Sequence, residues 1–309
     1  MGRIKFVTTR EAVKLIPDNA KIGTVGFLLI GAAEEIWLEL EQRFLSTGAP
    51  RNLSLFWASG VGDGGEIRGL NHLCHEGLIG QLIGGHYALI KKMAPMINAN
   101  KVKAYNLPQG VMCQMFRDMA AGKPGVLTHV GLGTFVDPEF GGGKLNAITI
   151  EDIVEKVELH GKEYLFYKAQ PINVAIIRGT EADENGNISL RKEALTLEHL
   201  ACAMAARNNG GIVIAQVEKV VKNGTIAPKD VKIPGILVDV VATVIDSKNH
   251  MQTGGTQFNE DFISAARVFK QEEKALPLDI RKVIARRSAM QLKPSQFVLN
   301  YGIGYPEMD

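Results

Sequence analysis

The sequence predicts an α/β fold, in which a largely parallel sheet is covered by helices. Short segments such as Leu53–Trp57 and Ile212–Val217 are apolar on both faces of a strand, which is typical of parallel sheets. Amphipathic helical segments separate them along the chain. Glycine, at 33 of 309 residues, collects in loops between these segments and indicates many close backbone approaches. Strands buried on both faces need helices on each side, so the alternation indicates a doubly covered sheet.

The first element is a short helix with Thr8 as its N-cap, Glu11 as the partner of a capping box, and Pro17 as its end. The elements that follow are predicted strands at 21–25, 53–57, 102–104, 174–177, 212–217 and 236–244, and predicted helices at 32–45, 87–97, 109–121 and 195–207. Segment 139–170 is rich in glycine and charge and predicts an excursion from this pattern. Segment 180–190 contains Asn185-Gly186 and predicts a turn.

The composition excludes several classes of protein. The formal net charge of +2, from 35 basic and 33 acidic residues, offers no field that collects nucleic acid or an anionic membrane. No apolar run reaches the roughly 18 residues of a membrane span. Cys74, Cys113 and Cys202 are few and widely spaced, which favours reduced thiols in the cytoplasm and offers no C-x-x-C metal site. We expect a cytoplasmic protein.

The carboxyl-terminal residues restate the beginning of the chain. RRSAMQLKPSQFVLNYGIGYPE, from Arg286, repeats the pattern of EAVKLIPDNAKIGTVGF: a short helix ending in Leu-x-Pro, then a strand, then a glycine-rich turn. This repeat predicts a first lobe at 1–245, a linker at 246–282 and the beginning of an incomplete second lobe at 283–309. One strand cannot bury both faces of a second lobe, so we expect a truncated or cleaved form of a longer, two-lobed protein.

Two further motifs carry weaker signals. Residues 60–65 fit G-x-G-x-x-G after a strand, but no extended helix follows and no acidic residue ends the next strand, so a glycine-rich surface loop is favoured over a dinucleotide site. His72 and His75 share a helix face only if the segment is helical. They lack a third zinc ligand, which favours packing or hydrogen bonding over a metal site. We expect no metal.

Stronger signals lie in the segments 106–110 and 131–138. Each follows an apolar stretch and places polar backbone groups where the carboxyl ends of the strands gather, which is where open α/β sheets bind ligands. Gln109, at a predicted helix start, can direct its neutral side chain at a carboxylate or thioester oxygen. A loop with ordinary turn chemistry is the alternative for either segment.

At these residues the sequence resembles the family I coenzyme A transferases, specifically the single-chain acetate, propionate and 3-keto-acid group whose two homologous lobes are fused. The matching segments extend over nearly the whole chain and are HLCHEGLIGQLIGGH (72–86), AYNLPQGV (104–111), GLGTFVDPEFGGGKLN (131–146), GGIVIAQVEKVV (210–221), VKIPGILVD (231–239) and ARRSAMQLKP (285–294). The resemblance implies the first lobe of a duplicated fold, followed by the start of a second.

The resemblance also implies a ping-pong transfer of coenzyme A between an acyl-CoA and a short-chain carboxylic acid. A glutamate attacks the thioester, and the reaction passes through an acyl-glutamyl anhydride to a glutamyl-CoA thioester. Both species are activated acyl groups, so the steps are nearly isoenergetic. The coenzyme A thioester is a substrate, and no cofactor is expected to stay bound.

Five residues carry the expected site. The resemblance places Gln109 opposite the nucleophile, Gly26 and Phe27 around the acyl group, and Ile303 and Gly304 near the oxyanion. In the family the nucleophilic glutamate belongs to the second lobe, so we expect it after Asp309 and expect the isolated chain to be inactive.

The expected partners are an acyl-CoA, a carboxylic acid and the rest of the second lobe, supplied in cis or by a companion chain. Exposed edges favour a homo-oligomer. Two other functions remain open: a non-catalytic coenzyme A-binding sensor or scaffold, and a sugar-phosphate isomerase-like enzyme on a similar sheet.

Overall fold

Residues 4–264 and 277–295 are described in a computed structural model of the chain. Their strands are β1 (Lys5–Thr8), β2 (Lys21–Thr24), β3 (Leu53–Trp57), β4 (Ile79–Gly84), β5 (Lys103–Asn106), β6 (Gly125–Thr128), β7 (Val154–Leu159), β8 (Lys162–Lys168), β9 (Val174–Arg178), β10 (Glu181–Asp183), β11 (Ile188–Ser189), β12 (Ile212–Val217), β13 (Lys219–Val221), β14 (Val231–Ile233) and β15 (Val240–Thr243). Their α-helices are α1 (Thr9–Ala12), α2 (Glu34–Thr47), α3 (Met93–Asn98), α4 (Gln109–Ala120), α5 (His199–Asn208) and α6 (Ile280–Ala289).

Eight strands form one parallel sheet in the order β1-β15-β12-β9-β2-β3-β4-β5. From β2 the chain builds outward through β3, β4 and β5, and then continues on the other side of β2 with β9. The strand order therefore changes direction between β2 and β9, and such a switch point is where open α/β sheets bind ligands at their carboxyl edge. The predicted α/β class is confirmed.

Helices bury both faces of the sheet. On one face α2 and α3 cover a core that includes Trp37 and Trp57. On the other face α4 and α5 cover a core that includes Phe116 and Cys202. Gly23 of β2 faces this second core, where an added Cβ would lie 3.1 Å from the Cys202 sulfur, so a larger residue would separate α5 from the sheet.

Two small sheets project from the central one. Strands β6, β8 and β7 form an antiparallel sheet over residues 125–168, which accounts for the predicted excursion at 139–170. Strands β13, β10, β11 and β14 form the second sheet. Between β10 and β11 the chain turns at Gly186, where φ is +74°, and this confirms the turn predicted from Asn185-Gly186.

Three predicted elements begin several residues later in the structure, and one of them is the helix predicted at 195–207, which begins at His199. The helix predicted at 87–97 begins only at Met93, because Pro95 lacks an N–H and fits only in the first turn of a helix. The strand predicted at 236–244 begins at Val240, since Gly235–Leu237 forms a 3₁₀ turn after Pro234. The capping box of Thr8 and Glu11 is present as predicted.

The chain divides into the units Met1–Ser264 and Ala265–Asp309. Residues 246–264, which the sequence assigns to a linker, belong to the first unit. In the second unit α6 is capped by Asp279, whose side chain accepts a hydrogen bond from the Lys282 amide at 2.9 Å. The strand and turn of the predicted repeat lie outside the described residues, so the proposed second lobe stays a prediction.

Candidate active site

Four loops meet at the carboxyl edge of β2, β3, β4 and β5. The turn after β2 is joined to the loop after β3 by the Leu28 amide, which donates to Gly60 O at 2.8 Å. Gly60 in turn packs on the loop after β4, where an added Cβ would lie 2.9 Å from Leu89 Cδ1. The loops after β2, β3 and β4 are therefore in contact with one another at this edge of the sheet.

The turn after β2 contains the predicted acyl-site residues Gly26 and Phe27. It is closed by reciprocal hydrogen bonds between Phe27 and Ile30, at 3.0 and 2.9 Å. Gly26 is buried, and a Cβ there would lie 3.1 Å from Val61 Cγ1, while Phe27 is half-buried. The close approach to Val61 explains why glycine occupies position 26.

Gln109 is the first residue of α4, as predicted, and its side chain is exposed. No hydrogen bond joins that side chain to another residue within the described parts of the chain. Its backbone lies directly on the loop after β4, because a Cβ added to Gly85 would lie 3.0 Å from Gln109 Cα. The amide is therefore free to donate to a ligand at the edge of the sheet.

The segment 131–146 supports Gln109 from the outer side. Asn106 ends β5, and its amide donates to Gly143 O at 2.8 Å. The Asn106 side chain donates to Gly84 O at 2.9 Å and to Gly85 O at 3.1 Å, which joins the ends of β4 and β5. The residues just before Gln109 are thus held by both neighbouring loops.

Asp137 organises this outer segment. Its carboxylate accepts from the amides of Gly133 at 3.0 Å and Glu139 at 3.2 Å, and Lys156 Nζ lies 3.5 Å away. Burial opposes the charge of Asp137, but these backbone hydrogen bonds and Lys156 outweigh it and lower the pKa of the carboxyl. Asp137 is therefore a negatively charged residue that joins two backbone amides of the loop to Lys156.

A buried ionic cluster lies where the strand order changes direction. Arg178, at the end of β9, pairs with Glu193 at 3.0 Å, and their side chains are 3% and 2% exposed. Arg178 also donates to Ala32 O at 3.2 Å, just before α2. Gln216 of β12 donates to His250 Nδ1 at 3.1 Å, which fixes residues 247–252 beside it. No sequence signal had singled out this cluster.

The glycine-rich motif at 60–65 is a packed loop. No extended helix follows it, and a Cβ at Gly69 would lie 2.8 Å from Gly62 Cα, so the two ends of the loop touch. The Asp63 carboxylate accepts from the Gly65 amide at 2.9 Å and so fills the space inside the loop. The predicted preference for a glycine-rich loop over a dinucleotide site agrees with this geometry, although residues 60–62 are buried rather than on the surface.

His72 and His75 make hydrogen bonds, as the sequence analysis favoured. His72 lies between Glu34 and Glu41 of α2, and His75 Nε2 is 2.7 Å from Glu41 Oε1. Within residues 4–264 and 277–295, no group of three His, Cys, Asp or Glu residues has the arrangement of a metal site. The signal for this network was the seven-residue spacing of Glu34 and Glu41, which places both on one helix face.

The cysteine thiols are not activated. Burial raises the pKa of Cys74 and of Cys113 to about 12, and Glu198 adds to the effect at Cys113. Cys202 is fully buried in the core. All three thiols are protonated at neutral pH, because their pKa values are raised.

Ile303 and Gly304, predicted near the oxyanion, lie outside the described residues. Gln109, Gly26 and Phe27 are brought to one edge of the sheet, with the loops after β3 and β4 between them. None of the helices in the described part of the chain has both the length and the apolar composition of a membrane crossing.

This arrangement defines an α/β lobe whose loops gather at the carboxyl edge of the parallel sheet, the edge at which open α/β sheets bind ligands. A family model described as coenzyme A transferase matches residues 6–243. The caffeate CoA-transferase of Acetobacterium woodii is 45% identical over 98% of this chain and 57% of that protein. The acetate CoA-transferase YdiF of Escherichia coli K12 is 40% identical over 98% of this chain and 56% of that protein.

A solved structure of YdiF from Escherichia coli O157:H7, a thioester complex with CoA, superposes with a TM-score of 0.84. The two sequences are 39% identical, and the superposed region covers 94% of this chain and 55% of the YdiF chain. The chain therefore belongs to the coenzyme A transferase family, and it spans little more than half the length of these relatives.

Proposed function

We propose that this chain is the first lobe of a cytoplasmic acyl-CoA:carboxylate CoA-transferase for short-chain acids. Family membership and the exposed Gln109 at the carboxyl edge support this proposal. The nucleophilic glutamate comes from polypeptide after Asp309, in cis or as a companion chain. The coenzyme A thioester is a substrate. The three unpaired thiols support the cytoplasmic location.

The chemistry proceeds by acyl exchange on that glutamate. Its carboxylate attacks the thioester carbon and expels coenzyme A thiolate, which then opens the anhydride to give glutamyl-CoA and the free acid. The acceptor acid reverses these steps. The first lobe supplies the Gln109 side-chain N–H as a donor to the oxygen that gains charge, and the turn at Phe27 encloses the acyl group.

The proposal rests mainly on one observation, the placement of Gln109. Its backbone rests on Gly85 and its side chain has no partner within the described residues, so no hydrogen bond to the protein has to break before its amide donates to a substrate oxygen. A donor held against the oxygen that gains charge contributes on the order of 10²-fold to 10³-fold in rate.

Two variants of the full-length protein test the role of Gln109. We expect Gln109→Ala to lower kcat for exchange between acetyl-CoA and labelled propionate by about 10²-fold. Gln114→Ala is the matched control, because Gln114 lies on the same helix but bonds to Asp118 at 3.0 Å. We expect that control to keep its rate within about twofold. Equal rates for both variants would contradict the proposal, as would no transfer by the wild-type full-length protein.

The relatives named above are a caffeate CoA-transferase and an acetate CoA-transferase, and acetate is the one of these two acids that fits the short-chain class proposed here. We propose a homo-oligomer whose protomers each contain two lobes. Sedimentation of the full-length protein tests this assembly, and a monomer at micromolar concentration would contradict it.

A further inference from the structure

His72 occupies an unusual position between two carboxylates. Its Nδ1 is 2.7 Å from Glu41 Oε2, and its Nε2 is 3.2 Å from Glu34 Oε1. A neutral imidazole has one N–H, so it would donate to one carboxylate and turn a lone pair toward the other. The imidazolium donates to both. Two carboxylates facing the two ring nitrogens therefore favour the doubly protonated ring.

The surrounding charges agree with this form. Glu34 also accepts from Arg68 Nε at 3.2 Å, and Glu41 accepts from His75. Burial opposes the charge on His72, but hydrogen bonds to Glu34 and Glu41 and their negative charges outweigh it and raise the pKa above its ordinary 6.5. The positive charge of Lys92 acts instead on the neighbouring Cys74, whose thiol pKa it lowers against the larger effect of burial.

The same network fastens the loop formed by residues 60–69, here called the glycine loop. At its end, the Gly69 amide donates to Glu34 Oε2 at 2.8 Å. At its beginning, Gly60 O accepts from the Leu28 amide at 2.8 Å. Arg68 Nη1 donates to Gly254 O at 3.1 Å. Glu34 begins α2 directly after the turn at Phe27, so loop and turn form one hydrogen-bonded unit.

We propose that doubly protonated His72 is a positioning residue, which holds Glu34 in place to fix the glycine loop and, through Gly60, the turn at Phe27. Its effect on the acyl group rests on the proposed function, whereas its effect on the loop does not. His72 does not touch substrate. Its charge orients Glu34, and Glu34 holds the amide of Gly69.

The sign of the pH dependence follows from the two shifts. A raised pKa of His72 gives stabilisation that is complete below pH 6.5 and is lost as the pH rises through the folded-state value. For Glu34, burial favours the neutral acid, but His72, Gly69 and Arg68 outweigh it and lower the pKa below 4.5. Its contribution is lost only as the pH falls through that lower value. The glycine loop is therefore held best between these limits.

Nitrogen-15 NMR on the 309-residue chain tests the protonation state. We expect both ring nitrogens of His72 to carry protons at pH 6.5, and amide exchange at Gly69 to lose at least threefold in protection factor as His72 deprotonates. His72→Gln should remove this pH dependence. His75→Gln should retain it, because His75 Nε2 bonds to Glu41 Oε1 at 2.7 Å and, within the described residues, no hydrogen bond joins its ring to Glu34 or to Gly69. A singly protonated His72 at pH 6.5, or the same loss of protection in His72→Gln, would overturn the proposal.

Kinetics of the full-length protein test the effect on the acyl group. In the wild type we expect KM for the acceptor acid to rise at alkaline pH, as His72 loses its second proton. We expect His72→Gln to raise this KM about three- to tenfold near neutral pH, with a smaller change in kcat. The variant should no longer show the rise in KM at alkaline pH. His75→Gln should keep the wild-type profile. An unchanged profile in His72→Gln with an active wild type would refute the positioning role. No transfer by the wild type would instead refute the proposed function, while the NMR result still decides the role of His72 in the loop.

Discussion

Gly85→Ala is the substitution that most directly perturbs the support of Gln109. A methyl group at position 85 would lie 2.1 Å from Ala58 O and 3.0 Å from Gln109 Cα. Carbon-to-oxygen contacts in proteins are about 3.3 Å long, so the added methyl group and Ala58 O must move apart by roughly 1 Å. Overpacking of this kind costs about 1 to 3 kcal/mol. A 1 Å displacement of an aligned group costs about 10²-fold in rate, and the 3.0 Å contact at Gln109 Cα requires a smaller movement than the one at Ala58 O, so we expect kcat to fall by less than about 10²-fold.

Urea denaturation and exchange kinetics measure both effects of Gly85→Ala. Gly110→Ala is the control for stability, because an added Cβ at Gly110 has no atom within 4 Å and the position is helical. We expect Gly110→Ala to raise the free energy of unfolding by about 0.5 to 1 kcal/mol, because alanine reduces the conformational freedom of the unfolded chain. If Gly85→Ala matched the wild type in both stability and kcat, the inferred contact between the loop after β4 and Gln109 would be wrong.

Two further predictions concern buried charge. Arg178→Met leaves Glu193 without its partner and should cost about 3 to 5 kcal/mol in urea denaturation, and Arg178→Met combined with Glu193→Leu should cost less than the single change. A double variant less stable than the single one would contradict the pairing. Burial, with the Arg178 charge, lowers the pKa of His199 to about 3, so stability should fall as the pH drops from 6.5 toward 3, because only the unfolded chain binds the proton. A His199 titration midpoint above pH 5 by NMR would refute this.

Local pattern was enough to predict many elements. Leu53–Trp57 and Ile212–Val217 have the predicted limits, because each is an apolar run bounded by turn residues. Gln109 starts its helix as predicted, since Pro108 before it disfavours an earlier start. The predicted helix at 87–97 is too long because Pro95 lacks an N–H and fits only in the first turn of a helix, which places the helix start at Met93.

Long-range contacts were beyond the sequence. The placement of β9 beside β2 joins segments about 150 residues apart, and no local pattern encodes that neighbour. The same holds for Arg178 and Glu193, which come together only through this topology. The resemblance predicted that Gln109 and Phe27 serve one site, but the glycine loop between them was not expected to connect them.

The central claim is that the attacking carboxylate lies in polypeptide after Asp309. The direct measurement is to incubate the full-length protein with an acyl-CoA, trap the glutamyl thioester with hydroxylamine or borohydride, and locate the modified peptide by mass spectrometry. The account predicts one modified glutamate after position 309. A modified glutamate between Met1 and Asp309 would contradict it.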